Sequence, residues 1–204
     1  MKKIDFKKEL KHLYRPTTKK IDIVDVPAMN FLMIDGKGDP NTAKEYTDAI
    51  EALYSVSYTL KFMVKKNLNA NYGVLPLEGL WWADDMIHFS TGNKDEWKWT
   101  ALIMQPEYIS KDKVEKAFET VKKKKDLPAL PKMRFSNFNE GLSAQTMYIG
   151  PYADEGPTIQ RIHDFIKETG HEPRGKHHEI YLSDPRRSKP EKLKTIIRQP
   201  IKKI

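Results

Sequence analysis

The sequence is most constrained by a repeated order of elements, strand, helix, strand, strand. In the first copy, residues 28–36 (AMNFLMIDG) form a strand-like run that ends in a glycine turn. A helical pattern follows over residues 42–67, opening on a TAKE capping box. Two further strand-like runs occupy residues 74–82 and 97–105, and Pro106 ends the second.

The second copy repeats this order in the C-terminal half. A strand-like run at residues 142–150 again closes on glycine, and a helical pattern extends over residues 157–170. Strand-like runs at 177–182 and 193–199 follow, and we expect Pro200 to end the last one. Two copies of one module are therefore the most economical interpretation.

Short sequence echoes support the duplication. LEGL at 77–80 parallels HEIY at 178–181, and IMQP at 103–106 parallels IRQP at 197–200. We predict an α+β fold made by pseudo-twofold duplication of a strand-helix-strand-strand module. Its antiparallel strands should carry the helices on one side, with a ligand cleft between the repeats, because pockets favour such junctions.

The chain length fits one domain, residues 1–204. Within it we place repeat one at about 20–106 and repeat two at about 133–204. Residues 107–132 supply a connecting helix and a proline-rich link.

Composition narrows the functional classes. The net charge of +8 is concentrated in local basic clusters, and no helix-turn-helix, zinc-finger or RNA-binding signature accompanies it, so nucleic-acid binding remains a minor hypothesis. Cysteine is absent, which excludes disulfides and thiol nucleophiles. No apolar run is long enough for a membrane span or a signal peptide, so we expect a cytoplasmic protein without a membrane partner.

A carboxylate inside the strand-like run at 177–182 is the main candidate for chemistry. Alternate side chains of a strand share a face, which puts His177, Glu179 and Tyr181 together. We expect the opposite face, with His178 and Ile180, to pack against the helix, so that Glu179 faces the groove. A carboxylate beside a phenol and an imidazole can bind a cation or act as a general base. The alternative is a structural glutamate paired with an arginine or lysine.

Four tryptophans within nineteen positions are candidate ligand-binding residues: Trp81, Trp82, Trp97 and Trp99. On strands, Trp97 and Trp99 share a face, whereas Trp81 and Trp82 point to opposite faces. Indole rings can wall a site for a flat ligand and attract cations. Taken singly, each tryptophan is better explained as core, whereas four together beside a groove with a carboxylate indicate walls for a flat ligand.

Three further side chains complete the predicted site. Tyr148 could add a hydroxyl to the groove, and Met104 and Phe138 are core residues or pocket walls. Scattered histidines lack metal-ligand spacing, and phosphate-loop and nucleophile-elbow motifs are absent. We therefore predict no metal and no cofactor.

Three features together resemble the GyrI-like small-molecule-binding family. They are the stretch HHEIYLSDPRRSKPEKLKTIIRQP, the segment LEGLWW and the two-copy layout. More narrowly, the chain resembles the stand-alone branch, over residues 18–204. The resemblance implies a cleft in which a carboxylate recognises cationic, aromatic, lipophilic compounds, and Glu179 occupies that kind of position.

The stand-alone branch further implies an activity, since some members resemble hydrolases of cyclopropanoid genotoxins of the yatakemycin class. The hypothesis is that the flat drug stacks among Trp82, Trp97 and Trp99 while Glu179 activates water. Tyr181 or Tyr148 would then donate to the dienone oxygen. One alternative is a non-catalytic binder that sequesters or senses amphiphilic cations. Another, inhibition of DNA gyrase through protein contacts, comes only from the family name.

Overall fold

A computed structural model describes residues 2–67, 70–85 and 92–204. These residues form five helices: α1 Phe6–Glu9, α2 Lys11–Tyr14, α3 Lys44–Asn67, α4 Lys111–Lys122 and α5 Gly156–Glu168. They also form eleven strands: β1 Lys2–Ile4, β2 Asp22–Val26, β3 Met29–Lys37, β4 Ala70–Tyr72, β5 Leu77–Trp82, β6 Lys98–Gln105, β7 Arg134–Phe138, β8 Gly141–Ile149, β9 His171–Pro173, β10 His177–Tyr181 and β11 Lys194–Lys203. The predicted α+β class is confirmed. No described helix has the length and apolar character needed to cross a membrane.

The chain divides into two compact units. The first unit contains Met1–Phe6 and Met29–Phe138, and the second contains Lys7–Ala28 and Asn139–Ile204. The prediction of one domain over the whole chain stays a prediction.

In the first unit, four antiparallel strands lie in the order β5, β6, β3, β7. Strand β6 is central and almost entirely buried, as its run of apolar residues predicts. Helix α3 packs on one face of these strands, where the Gln105 amide donates to the Ser57 hydroxyl at 3.2 Å. Helix α4 is the predicted connecting helix, and it buries Val114, Ala117 and Val121. A short parallel pair, β1 with β4, lies apart from this sheet order.

In the second unit, the strand order is β10, β11, β8, β2, again antiparallel. Helix α5 packs on one face of these strands through Ile162 and Ile166, which contact Ala144, Ile197 and Ile201. The isoleucine spacing that predicted this helix also defines its buried side. Strand β9 pairs with the end of β11.

The duplication is confirmed in element order and in strand order. In each unit the second strand of the module lies beside the third, and the third beside the first. The registers also correspond, since Ile103 lies opposite Leu32 and Ile197 lies opposite Thr146. Both partners stand four residues before a glycine, Gly36 in one unit and Gly150 in the other.

The outermost strand of each unit comes from an unexpected part of the chain. Strand β2 precedes the first module in sequence but pairs with β8 of the second unit. Strand β7 precedes the second module but pairs with β3 of the first unit. Sequence periodicity does not reveal this exchange, because both segments are short.

Two expectations at element ends are wrong. Strand β11 continues through Pro200, whose carbonyl accepts the Arg174 amide at 2.8 Å while the chain goes on to pair with β9. Helix α3 begins at Lys44, later than the capping box implies, and the Glu45 carboxylate pairs with Lys132 at 2.6 Å instead. In both places a tertiary contact outweighs the local sequence pattern, the proline in β11 and the capping box before α3.

Candidate functional site

Strand β10 places Glu179 between His177 and Tyr181 on one face, and the three side chains meet. The Glu179 side chain is 16% exposed, and its Oε1 lies 3.2 Å from His177 Nε2. The Tyr181 hydroxyl donates to Glu179 Oε2 at 2.8 Å. The carboxylate is thus held at both oxygens and still reaches solvent.

This face is the one that carries helix α5, contrary to our expectation. Glu179 lies directly opposite Ile197, which packs against Ile162 and Ile166 of α5. The set that we expected under the helix lies on the other face, where His178 contacts Glu140 instead. The register between the strands explains this: Ile197 and Ile201 of β11 face the apolar side of α5. Residues directly opposite each other in neighbouring strands share a face, so Glu179 lies on the same side as Ile197.

A second carboxyl group that sequence reasoning missed lies beside Glu179. Glu155 is 3% exposed and immediately precedes α5. Its backbone carbonyl accepts the amides of Thr158 and Ile159 at 2.9 and 3.0 Å, but its side chain makes no capping hydrogen bond. The carboxyl group instead lies near the carboxylate of Glu179 and the hydroxyl of Thr195, both of which act on its pKa.

The surroundings of Glu155 favour its neutral form. Burial raises its pKa, the negative charge of Glu179 raises it further, and the Thr195 hydroxyl acts in the opposite direction; the resulting pKa is about 9. Glu155 Oε1 and Thr195 Oγ1 are both buried without a hydrogen-bond partner of good geometry. At neutral pH this carboxyl group therefore carries a proton.

Aromatic hydroxyls lie around the pair. The Tyr148 hydroxyl donates to the Pro151 carbonyl at 2.9 Å, and its pKa is raised by burial and by the charges of Asp154 and Glu155. The ring of Tyr152 packs edge-on against that of Tyr181, with centroids 5.5 Å apart. The hydroxyl protons of Tyr181 and Tyr148 are thus engaged, the first by Glu179 and the second by the backbone.

The carboxylate that an arginine neutralises is a different one, Glu140. Arg198 Nη1 donates to Glu140 Oε2 at 3.0 Å, and His178 Nδ1 lies 2.8 Å from Oε1, with all three side chains about 1% exposed. Burial acts to raise the Glu140 pKa, but the charges of His178 and Arg198 and their hydrogen bonds outweigh it and hold the pKa at about 2. Arg198 also donates to the Leu13 carbonyl at 3.0 Å, which ties α2 to β11 within the second unit.

The predicted tryptophans divide between two faces of the first unit. Trp81 lies directly opposite Trp99, and Tyr46 of α3 packs edge-on against Trp99 with centroids 5.0 Å apart. Trp97 is half-buried and packs against Trp81 at 6.1 Å. Trp82 is half-buried and projects from the opposite face of β5. Trp81 and Trp99 therefore belong to the core beneath α3, and contact of any tryptophan with a ligand stays a prediction.

Met104 and Phe138 lie on the face of the first unit that is remote from α3. Met104 is buried opposite Phe31, and the Phe31 ring packs edge-on against Phe138 with centroids 6.1 Å apart. These contacts agree with the core alternative, and a role in ligand binding stays a prediction. Among the described residues, no group of three or more histidine, aspartate and glutamate side chains is placed to hold a metal ion.

At the position that corresponds to Glu179, the first unit carries an apolar residue. Leu77 lies opposite Ile103 as Glu179 lies opposite Ile197, so the LEGL echo is displaced by one residue and Glu78 is not the equivalent of Glu179. Two residues further along the same face of the strand, the first unit has Gly79 opposite Ala101, whereas the second unit has Tyr181 opposite Thr195. The duplicated framework thus carries apolar or small residues in one copy and acid–base groups in the other.

Comparison with known proteins agrees with this fold. A family model for the GyrI-like small-molecule-binding domain matches residues 19–202. An uncharacterised conserved protein from Listeria innocua is 41% identical, with a TM-score of 0.89, and the match covers 98% of this chain and 100% of that one. A protein from the same organism described as a hydrolase is 40% identical, with a TM-score of 0.85 and the same coverage.

A more distant structural match is evidence for a shared fold only. The C-terminal domain of EcmrR has a TM-score of 0.57 at 9% identity, over 91% of this chain and 98% of that domain. Among curated protein sequences, none matches significantly. The family match spans nearly the whole chain and includes both copies of the module. This chain belongs to the GyrI-like small-molecule-binding family.

Proposed function

We propose that the protein binds flat, aromatic, lipophilic and often cationic small molecules at Glu179, and that it hydrolyses the cyclopropane ring of cyclopropanoid genotoxins. The observation that carries the proposal is the state of Glu179. It is mostly buried, still reaches solvent, and is held by His177 and Tyr181 rather than neutralised by an arginine. The likeness to a protein described as a hydrolase supports an activity of that general class.

In the proposed reaction, Glu179 accepts a proton from water as the water oxygen bonds to the cyclopropane carbon. The strained carbon–carbon bond breaks, and its electron pair moves into the dienone, whose oxygen gains phenolate character and finally takes up a proton. The balance is addition of one water molecule. A general base must lie within hydrogen-bond reach of the water, and the solvent-facing part of Glu179 meets that condition.

A donor is also needed for the developing oxyanion. Tyr181 is our first choice, because its hydroxyl already points into the site and can move from Glu179 to the ligand once Glu179 is protonated. Tyr148 would first have to release the Pro151 carbonyl. We therefore rank Tyr181 ahead of Tyr148 as the donor.

The test is to incubate the purified protein with a yatakemycin-class drug and to measure the product of mass plus water. Glu179→Gln should abolish turnover and leave drug binding within a few-fold, because the amide keeps the shape but is not a base. Glu172→Gln, which alters a half-exposed carboxylate paired with Lys202, is the matched control and should leave turnover unchanged. Full activity of Glu179→Gln would refute the assignment.

The second candidate is a non-catalytic binder of amphiphilic cations. The observation that favours it is the acidic, aromatic character of the site, where Tyr152 and Tyr181 flank the two carboxyl groups. Tight binding of the drug without any hydrated product would support this candidate over the hydrolase.

A further inference from the structure

Thr195 of β11 carries a buried hydroxyl beside the candidate site. It lies directly opposite Tyr181 of β10 and directly opposite Tyr148 of β8, so these three side chains form a row on the face that carries α5. Thr195 is fully buried, and among the described residues its Oγ1 has no hydrogen-bond partner. A buried hydroxyl without a hydrogen bond destabilises a fold, so its presence here calls for an explanation.

The strand register brings Thr195 within reach of Glu179. Glu179 lies opposite Ile197, two residues along β11 from Thr195, so Glu179 and Thr195 are diagonal neighbours on one face. The Cβ atoms of such neighbours lie about 7–8 Å apart, and the longer glutamate side chain extends across part of that distance. One water molecule, with a hydrogen bond of about 2.8 Å on each side, spans the rest.

Glu155 supplies a second buried oxygen of the same kind. It is 3% exposed, its side chain does not cap α5, and within the described part of the chain its Oε1 has no hydrogen-bond partner. The Glu155 carboxyl group lies near Thr195 and Glu179, since both act on its pKa. Neighbouring buried polar atoms that lack protein partners are the usual place for an ordered water, which makes about three hydrogen bonds.

A ligand bound at Glu179 would restrict the route by which water reaches this carboxylate. Only 16% of the Glu179 side chain is exposed, and a flat ligand would cover that part. Water arriving from bulk solvent would therefore compete with the ligand for the same space. Water held on the inner side, by Thr195 and Glu155, stays next to the base when the ligand binds.

We propose that Thr195 and Glu155 hold the water molecule that adds to the ligand, and that their contacts aim its oxygen at the reacting carbon. The inference rests on the proposed function, because it assigns the source of the water in that hydrolysis. Glu179 accepts one proton of this water as the oxygen bonds to the cyclopropane carbon and the strained bond breaks. The electron pair passes to the dienone oxygen, which takes up a proton, so that one water molecule is added in all.

The water site is tested first without a ligand, by a crystal structure at a resolution that shows ordered water. One water should lie within about 3.2 Å of both Thr195 Oγ1 and Glu155 Oε1, and it should be missing in Thr195→Val, which keeps the shape without the hydroxyl. Thr146→Val is the matched control: Thr146 is equally buried on the same face, but its hydroxyl donates to the carbonyls of Thr17 and Lys20 at 3.1 and 2.9 Å. A wild-type crystal without water at Thr195 would overturn the proposal.

Turnover of a yatakemycin-class drug is then measured for the same variants. Thr195→Val should lower kcat by about tenfold, the effect of one lost hydrogen bond to the reacting water, and should leave drug binding within about twofold. Thr195→Ser keeps the hydroxyl and should retain most of kcat, and Thr146→Val should turn over the drug as wild type does. An equal fall of kcat in Thr195→Val and Thr146→Val would show a loss of packing instead and would contradict the proposal.

The outcomes separate the two proposals. If the ordered water is found and Thr195→Val keeps its kcat, this water is not the one that reacts, whereas hydrolysis by the wild type still supports the proposed function. If the wild type does not hydrolyse the drug, the proposed function is contradicted, and the crystal structure by itself decides whether Thr195 and Glu155 hold a water.

Discussion

Replacement of Glu155 by glutamine should make the protein more stable at neutral pH. A group whose folded pKa is raised binds a proton in the folded state more tightly than in the unfolded one. Between the two pKa values the unfolded chain holds fewer protons, so the free energy of unfolding falls as pH rises. For Glu155 this window runs from the ordinary value of 4.5 to about 9.

The magnitude follows from the same window. At pH 7 the separation from 4.5 is 2.5 units, and each unit corresponds to about 1.4 kcal/mol, so the cost is about 3 kcal/mol. Glutamine imitates the protonated acid in size and in its ability to donate, and it has no charge to lose. The variant should therefore recover about 3 kcal/mol at pH 7 and show a flatter dependence on pH.

Urea unfolding followed by tryptophan fluorescence between pH 5 and 9 measures both quantities. Wild-type protein should lose stability over this range, Glu155→Gln should lose much less, and the exposed control Glu168→Gln should behave as wild type. An equal slope in wild type and Glu155→Gln would show that Glu155 is already ionised at neutral pH, and our reasoning about the pair would be wrong.

The remaining predictions concern buried contacts. The pKa of Glu140 is lowered to about 2, so its contribution to stability, about 3 kcal/mol, is complete above about pH 4.5 and is lost as pH falls towards 2. Acid unfolding of Glu140→Gln should therefore lack this pH-dependent loss. Because the neutral glutamine leaves the charge of buried Arg198 uncompensated, this variant should also be less stable than wild type at pH 7 by a similar amount. A Cβ at Gly36 would clash with the Trp99 ring, so Gly36→Ala should destabilise the protein by about 1–3 kcal/mol and change the near-ultraviolet circular dichroism. Gly73→Ala, whose Cβ meets nothing within 4 Å, is its control, and equal thermal midpoints for both variants would contradict the packing argument.

Periodicity predicted the main elements because each of them buries a regular stripe or face. The modules, the long helix α3 and the isoleucine face of α5 all follow from this local rule. The rule could not show which face of β10 meets the helix, since both faces carry mixed polar and apolar residues. That choice depends on the register between β10 and β11, which is a tertiary property.

The site was predicted in part for the same reason. Strand alternation sufficed to place His177, Glu179 and Tyr181 together. Glu155 lies outside any periodic segment, and its partner is 24 positions away, so only the fold brings it to Glu179. The one local sign was a glutamate directly before Gly-Pro at a helix start, where a serine or aspartate cap is more common. Local pattern could not decide the role of the tryptophan cluster, because aromatic side chains serve both cores and ligand walls.

The exchanged outer strands have a consequence for how the chain can be divided. A cut at the boundary between the sequence repeats, near residue 132, would leave β7 on the C-terminal fragment and β2 on the N-terminal one. Each fragment would then lack the strand that completes its own sheet and would carry one that belongs to the other. Neither half is a self-sufficient building block, and co-expressed halves would have to assemble by reciprocal strand donation. The present single chain makes that assembly intramolecular, so that the two donations occur at the high effective concentration of a covalent link.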